Sequence, residues 1–181
     1  TTGRFGRQDE LADVRAGSTL GYLRVIGTRS HTGDFQDANG VAVHSFYTRW
    51  SGNAALGWTP GPATVLELSA ARSNGEAAYA DRPMDGSRFA RDNVALKLDH
   101  NRPGSGLRRI EGLAYYNYID HIMDNYSLRA PGAKFSAMNP DRTTTGGRLL
   151  ATLALTDHTT LIVGGDTRRD AHTGRSAMNA A

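Results

Sequence analysis

The chain has 181 residues, 22% charged and 39% hydrophobic, with no cysteine and a mean hydropathy of -0.48. It therefore lacks the run of about 20 apolar residues that a membrane-spanning helix needs, and it has no means of building a disulfide scaffold or a thiolate metal site. Twenty-one glycines point away from long helices and toward strands, and 21 basic residues set among 18 acidic ones, with no basic stripe or aromatic stacking platform, argue against a nucleic-acid partner.

Strict alternation of side-chain class marks a strand, because its side-chain period is 2, and it recurs eight times. Arg7 to Ser18 sets Ala12, Val14 and Ala16 against Asp13 and Arg15, and Leu20 to Ser30 sets Leu23, Val25 and Gly27 against Arg24 and Thr28. Phe46 to Trp58 sets Trp50, Gly52, Ala54, Leu56 and Trp58 against Arg49, Ser51 and Asn53. Thr64 to Arg72 opposes Leu66, Leu68 and Ala70 to Glu67 and Ser69, and Arg91 to His100 opposes Val94, Leu96 and Leu98 to Asn93, Lys97 and Asp99. Arg108 to Met123 carries Ile110, Gly112, Ala114, Tyr116 and Tyr118 on one face and Arg109, Glu111, Asn117, His121 and Met123 on the other. Thr143 to Leu155 and Thr159 to Arg169 complete the series, interrupted by Leu150 and Ile162.

Tight connections are expected at Ser18 to Gly21, Thr59 to Pro62, Asn101 to Gly106 and Thr156 to His158, and long polar loops at residues 31 to 45, 74 to 89 and 129 to 142. Short turns at one end, long loops at the other and runs of about ten residues with one greasy face form the signature of an outer-membrane barrel. Small apolar side chains suit contact with lipid better than a densely packed soluble core. The pattern predicts an all-β, antiparallel up-and-down transmembrane arc of about eight strands. The start at Thr1 shows no signal peptide, both ends break off in mid-pattern, and Arg175 to Met178 reads as the opening of another long loop. Residues 1 to 181 are thus expected to be part of a larger barrel domain, with Arg24, Arg49, Glu67, Arg91, Lys97, Asp99, Arg109, Glu111 and Arg148 lining its lumen.

Residues 75 to 89, containing Arg82-Pro83-Met84-Asp85-Gly86, and residues 115 to 129, containing Tyr118-Ile119-Asp120-His121-Ile122-Met123-Asp124, closely resemble the TonB-dependent copper receptors of the Gram-negative outer membrane. Gly27 to Ser30, Ala55 to Pro60 and Thr145 to Leu149 are similar to the same receptors. The resemblance implies a large barrel in outer-membrane lipid, enclosing an N-terminal plug, energised through that plug by the TonB system and importing copper. The plug and its Cys-and-Met ligand pair fall outside this chain, so half of the metal site would be supplied from elsewhere.

His121 and Met123 match the family's barrel-side His-x-Met ligands. Independently of that match, residues two apart on a strand point the same way, so imidazole and thioether converge on the polar face, while Asp120 and Asp124 point to the other. Thioether favours Cu(I), and imidazole suits copper in either oxidation state. Spacing alone also accommodates a girdle histidine beside a gap-filling methionine. Met84, in a long loop, is a candidate capture thioether, and Met138, in the next, a weaker one; Met178 is weaker still. A siderophore or haem receptor of the same architecture is the alternative within transport, although it would call for aromatic or Arg clusters in the loops. A barrel enzyme is disfavoured because Ser127, His121, Asp120 and Asp124 on one stretch cannot assemble a triad, and no catalysis is expected. A soluble β-sheet binding module is the alternative from another class.

Overall fold

The computed structural model describes residues 2–180, Ala180 by its backbone only. After a 3-10 turn at Arg4–Gly6 come β1 (Gln8–Ser18), β2 (Gly21–Thr32), β3 (Phe35–Gln36), β4 (Ala42–Val43), β5 (Tyr47–Gly61), β6 (Thr64–Ala77), β7 (Asp85–Asn101), β8 (Leu107–Asp124), β9 (Lys134–Ala154) and β10 (Thr160–Ala180). Eight strands form one sheet in the order β1-β2-β5-β6-β7-β8-β9-β10, and β3 pairs with β4 in a separate ribbon. Every pairing is antiparallel, so the chain runs up and down as its alternation predicts.

The register carries the alternation coherently across the sheet. Lys97 lies opposite both Glu67 and Leu113, and Leu113 opposite Arg148, so the polar residues of successive strands share one face. On that face Lys97 pairs with Glu67 at 3.3 Å, Arg24 with Asp13 at 2.9 Å, and Arg109 with Asp99 and Glu111. The Tyr22 hydroxyl donates to Glu67, and a hollow is lined by Tyr22, Glu67, Lys97, Asp99, Glu111 and Arg148. Leu150 and Ile162, which interrupt the sequence pattern, are even-numbered like Arg148 and Asp166, an opposed pair, and so lie on this polar face.

The opposite face is apolar and bare. Leu149 is 60% exposed, Leu56 58% and Val163 51%, and among the described residues the one buried hydrophobic side chain is Ala78. A soluble sheet turns its apolar face to a core; here the apolar face is the outside of the sheet. The belt runs from Trp50 to Trp58 on β5, Val94 to Leu98 on β7 and Ile110 to Tyr118 on β8. It gives way above to charged outward residues such as Arg88 and Asp120, which pair at 3.2 Å.

Several boundaries differ from those read in the sequence. β6 continues to Ala77, β7 begins at Asp85, and β9 begins at Lys134, which shortens the long connections to residues 33–46, 78–84 and 125–133. β10 runs through Arg175 and Met178 to Ala180, where a loop was expected. The hairpin between β5 and β6 turns at Pro62 and Ala63, because Thr59 to Gly61 remain in the strand beyond a register shift at Trp58/Gly61. Most of these extensions lie above the apolar belt, where both faces of the sheet are polar and alternation loses its contrast.

Candidate metal-binding site

The candidate donors gather at the end of the sheet that carries the long connections. His121 and Met123 leave β8 on the polar face, two residues apart. Directly opposite on β7 stand Phe89 and Gly86, respectively. These two share a face although they are three positions apart, because Ser87 is an extra residue in the register shift between Gly86 and Arg88.

Across the other ladder Met123 is paired with Met138 of β9. Directly opposed residues on one face hold their Cβ atoms about 5 Å apart, so two thioethers and an imidazole occupy one patch. Met138 therefore sits in a strand, not in the loop where the sequence put it, and is 47% exposed. Its partner on β10 is Ser176; Met178, two residues further on the same face, is 67% exposed. Met84 does lie in a connection, half-buried, two residues before the β7 partner of Met123.

The His121 ring stacks on Phe89 with centroids 4.6 Å apart and planes tilted by 36°. Its Nε2 is buried without a hydrogen-bond partner. Such a group is costly unless something satisfies it, and a metal ion would. His121 lies three residues beyond the end of the apolar belt at Tyr118. Burial holds its imidazole below the usual histidine value, against the opposing pull of Asp120. Among the described residues no three His, Cys, Asp or Glu side chains converge, so the donor set is soft. Asp120 is turned away, to Arg88 and to the Asn139 amide.

Two buried carboxylates, opposite one another at the strand ends, organise the connections around this patch. Asp85 is fully buried and accepts from Arg129 Nε at 2.7 Å, from His44 Nε2 at 2.9 Å and from the Tyr79 N–H at 2.9 Å. Arg129 in turn donates to the Arg82 and Tyr79 carbonyls, at 2.8 Å each. Burial would raise the Asp85 carboxyl, but Arg129, His44 and the Tyr79 amide outweigh it and hold it well below the usual carboxylate range, while Asp85 raises Arg129. Asp124 accepts from the Ser87 and Ser127 hydroxyls and from the Tyr126 and Ser127 N–H groups. Alternation and spacing assign no role to Asp85, Arg129, His44 or Phe89, since their roles depend on which strands become neighbours.

Fold and site together define an arc of an up-and-down barrel with imidazole and thioether donors on the rim of its polar face. Among solved structures, the copper transporter OprC superimposes with a TM-score of 0.87 and is 41% identical over 97% of this chain. The chain spans 28% of the length of that relative, so the sheet corresponds to a part of that protein. No protein-family model matches the chain, and no curated protein does.

Proposed function

We propose that this chain is a barrel segment of an outer-membrane receptor that binds and imports copper, with His121 and Met123 as its barrel-side ligands. The observation that carries the reading is the buried, unpartnered Nε2 of His121 on the same face as Met123 and its cross-strand neighbour Met138. The likeness to a copper transporter supports the same cargo. Thioethers favour Cu(I) over harder cations, which makes Cu(I) the preferred species.

In this reading the apolar outer face meets outer-membrane lipid, and the charged inner wall faces an N-terminal plug coupled to the TonB system. The plug contributes the remaining ligands, and the 181 residues form a partial barrel domain. Met84 captures copper at the rim, Met138 assists Met123, and the process involves transport without catalysis. The test is copper binding, in detergent, by the protein that contains this chain and by its His121→Ala/Met123→Ala variant, with zinc as the control metal. Copper-selective binding that the double substitution abolishes is the expected result. Unchanged binding in the variant would remove the His121–Met123 assignment.

A further inference from the structure

We propose that Phe89 is the positioning residue of His121 and sets the site's preference for copper over zinc, and that Gly86 is bare because the Phe89 ring lies on it; this rests on the copper reading above. The ladder places Phe89 opposite His121 and Gly86 opposite Met123, and the Ser87 bulge brings both β7 residues to the same face. A Cβ added at Gly86 would lie 2.0 Å from Phe89 Cζ and 2.3 Å from Cε2. The ring therefore occupies the space where a side chain at 86 would stand, beside Met123 and against the imidazole.

A metal-binding histidine is ordinarily held by a hydrogen bond from its other ring nitrogen to a carboxylate or carbonyl, which fixes the ring and tunes its basicity. Among the described residues no hydrogen bond holds either nitrogen of His121, and its ring contact is with Phe89. Stacking thus replaces the customary hydrogen bond as the orienting contact. An apolar ring in that position also limits water at Nε2. Outer-shell hydrophobicity controls solvent access to a metal, and a dry imidazole beside thioethers suits a soft, weakly hydrated cation better than zinc, which takes oxygen and nitrogen donors readily.

The experiment measures copper and zinc affinities, in detergent, of the whole protein containing this chain as Phe89→Ala, Phe89→Leu, Gly86→Ala and the Gly86→Ala/Phe89→Ala pair, with His121→Ala alongside. Folding is read by heat-modifiable gel migration. Phe89→Ala is expected to weaken copper binding by about 10- to 100-fold, the range for loss of an outer-shell partner, with zinc little changed. Phe89→Leu, which keeps apolar bulk but cannot stack, should lose most of the same selectivity. Gly86→Ala should act like Phe89→Ala by displacing the ring, yet have almost no effect once Phe89 is already alanine. X-ray absorption of the copper-loaded protein should show a weaker, more disordered imidazole contribution in Phe89→Ala. Unchanged affinity and selectivity in folded Phe89→Ala or Phe89→Leu, with copper lost in His121→Ala, would overturn this proposal and leave the copper reading standing. Copper binding unaffected by His121→Ala would remove both.

Discussion

Met123 and Met138 face each other across one ladder, yet their surroundings give them unequal weight. Met123 shares its strand with His121 at a two-residue spacing, while Met138 reaches the patch from β9 and is nearly half exposed. Met123→Ala is therefore expected to weaken copper binding about tenfold or more, ~1.4 kcal/mol, and Met138→Ala by less, as a competition titration against a chelator of known affinity would show. Equal losses would mean that the two sulfurs are equivalent ligands. Asp85 makes a second argument at this scale, because removing one partner from a buried charged pair leaves the others unsatisfied. Asp85→Ala should cost about 3 kcal/mol, the low end for such pairs since Arg129 keeps some exposure, and should speed hydrogen exchange across residues 78–84. The sign of its pH dependence follows from a lowered carboxyl. Its contribution is complete above the unfolded value of about 4 and declines only below that, so exchange protection in the wild type should be flat from neutral pH down to about 4.

At the scale of the strand, the two faces of β7 have opposite tolerances. Leu96→Arg puts a charge in the middle of the apolar belt and should destabilise the barrel by about 2–4 kcal/mol, whereas Lys97→Gln, one residue along, removes the exposed partner of the half-buried Glu67 and should cost about 1 kcal/mol or less. Urea titrations of refolding in lipid would separate them; equal costs would mean that the face bearing Leu96 does not meet lipid. The same contrast explains what was legible in the sequence. Where one face meets the belt, as from Val94 to Leu98, alternation located the strand. Where both faces are polar, as from Lys134 to Arg142 and from Asp170 to Ala180, it fell silent, and strand read as loop. Period 2 was enough to put His121 and Met123 together. It could not reveal that Met138 stands opposite Met123, since that needs the register, and it left Gly86 and Phe89 in a loop, whereas they lie in β7 on one face across the Ser87 bulge.

For the whole molecule, the decisive feature is that the sheet has two long edges and, among the described residues, no core beyond the buried Ala78. β1 offers 11 residues and β10 offers 21, unpaired with each other among the described residues, and an exposed edge is a template for pairing with another chain. The apolar belt adds a second cause of association, since contiguous exposed apolar surface on this scale is foreign to soluble monomers. Detergent covers the belt but leaves the edge N–H and C=O groups unsatisfied. The 181-residue chain diluted from denaturant into water is therefore expected to sediment as aggregate, and in micelles to remain dispersed but associate through its edges, with a mass by light scattering above that of one chain. Were it instead a soluble monomer in plain buffer, the bare outer face would need a cover made by the chain itself, and the soluble binding-module reading would displace the barrel. The likeness to a copper transporter, with a TM-score of 0.87 and 41% identity over 97% of this chain, weighs against that result, because it extends over almost the whole eight-stranded sheet and not over a local motif.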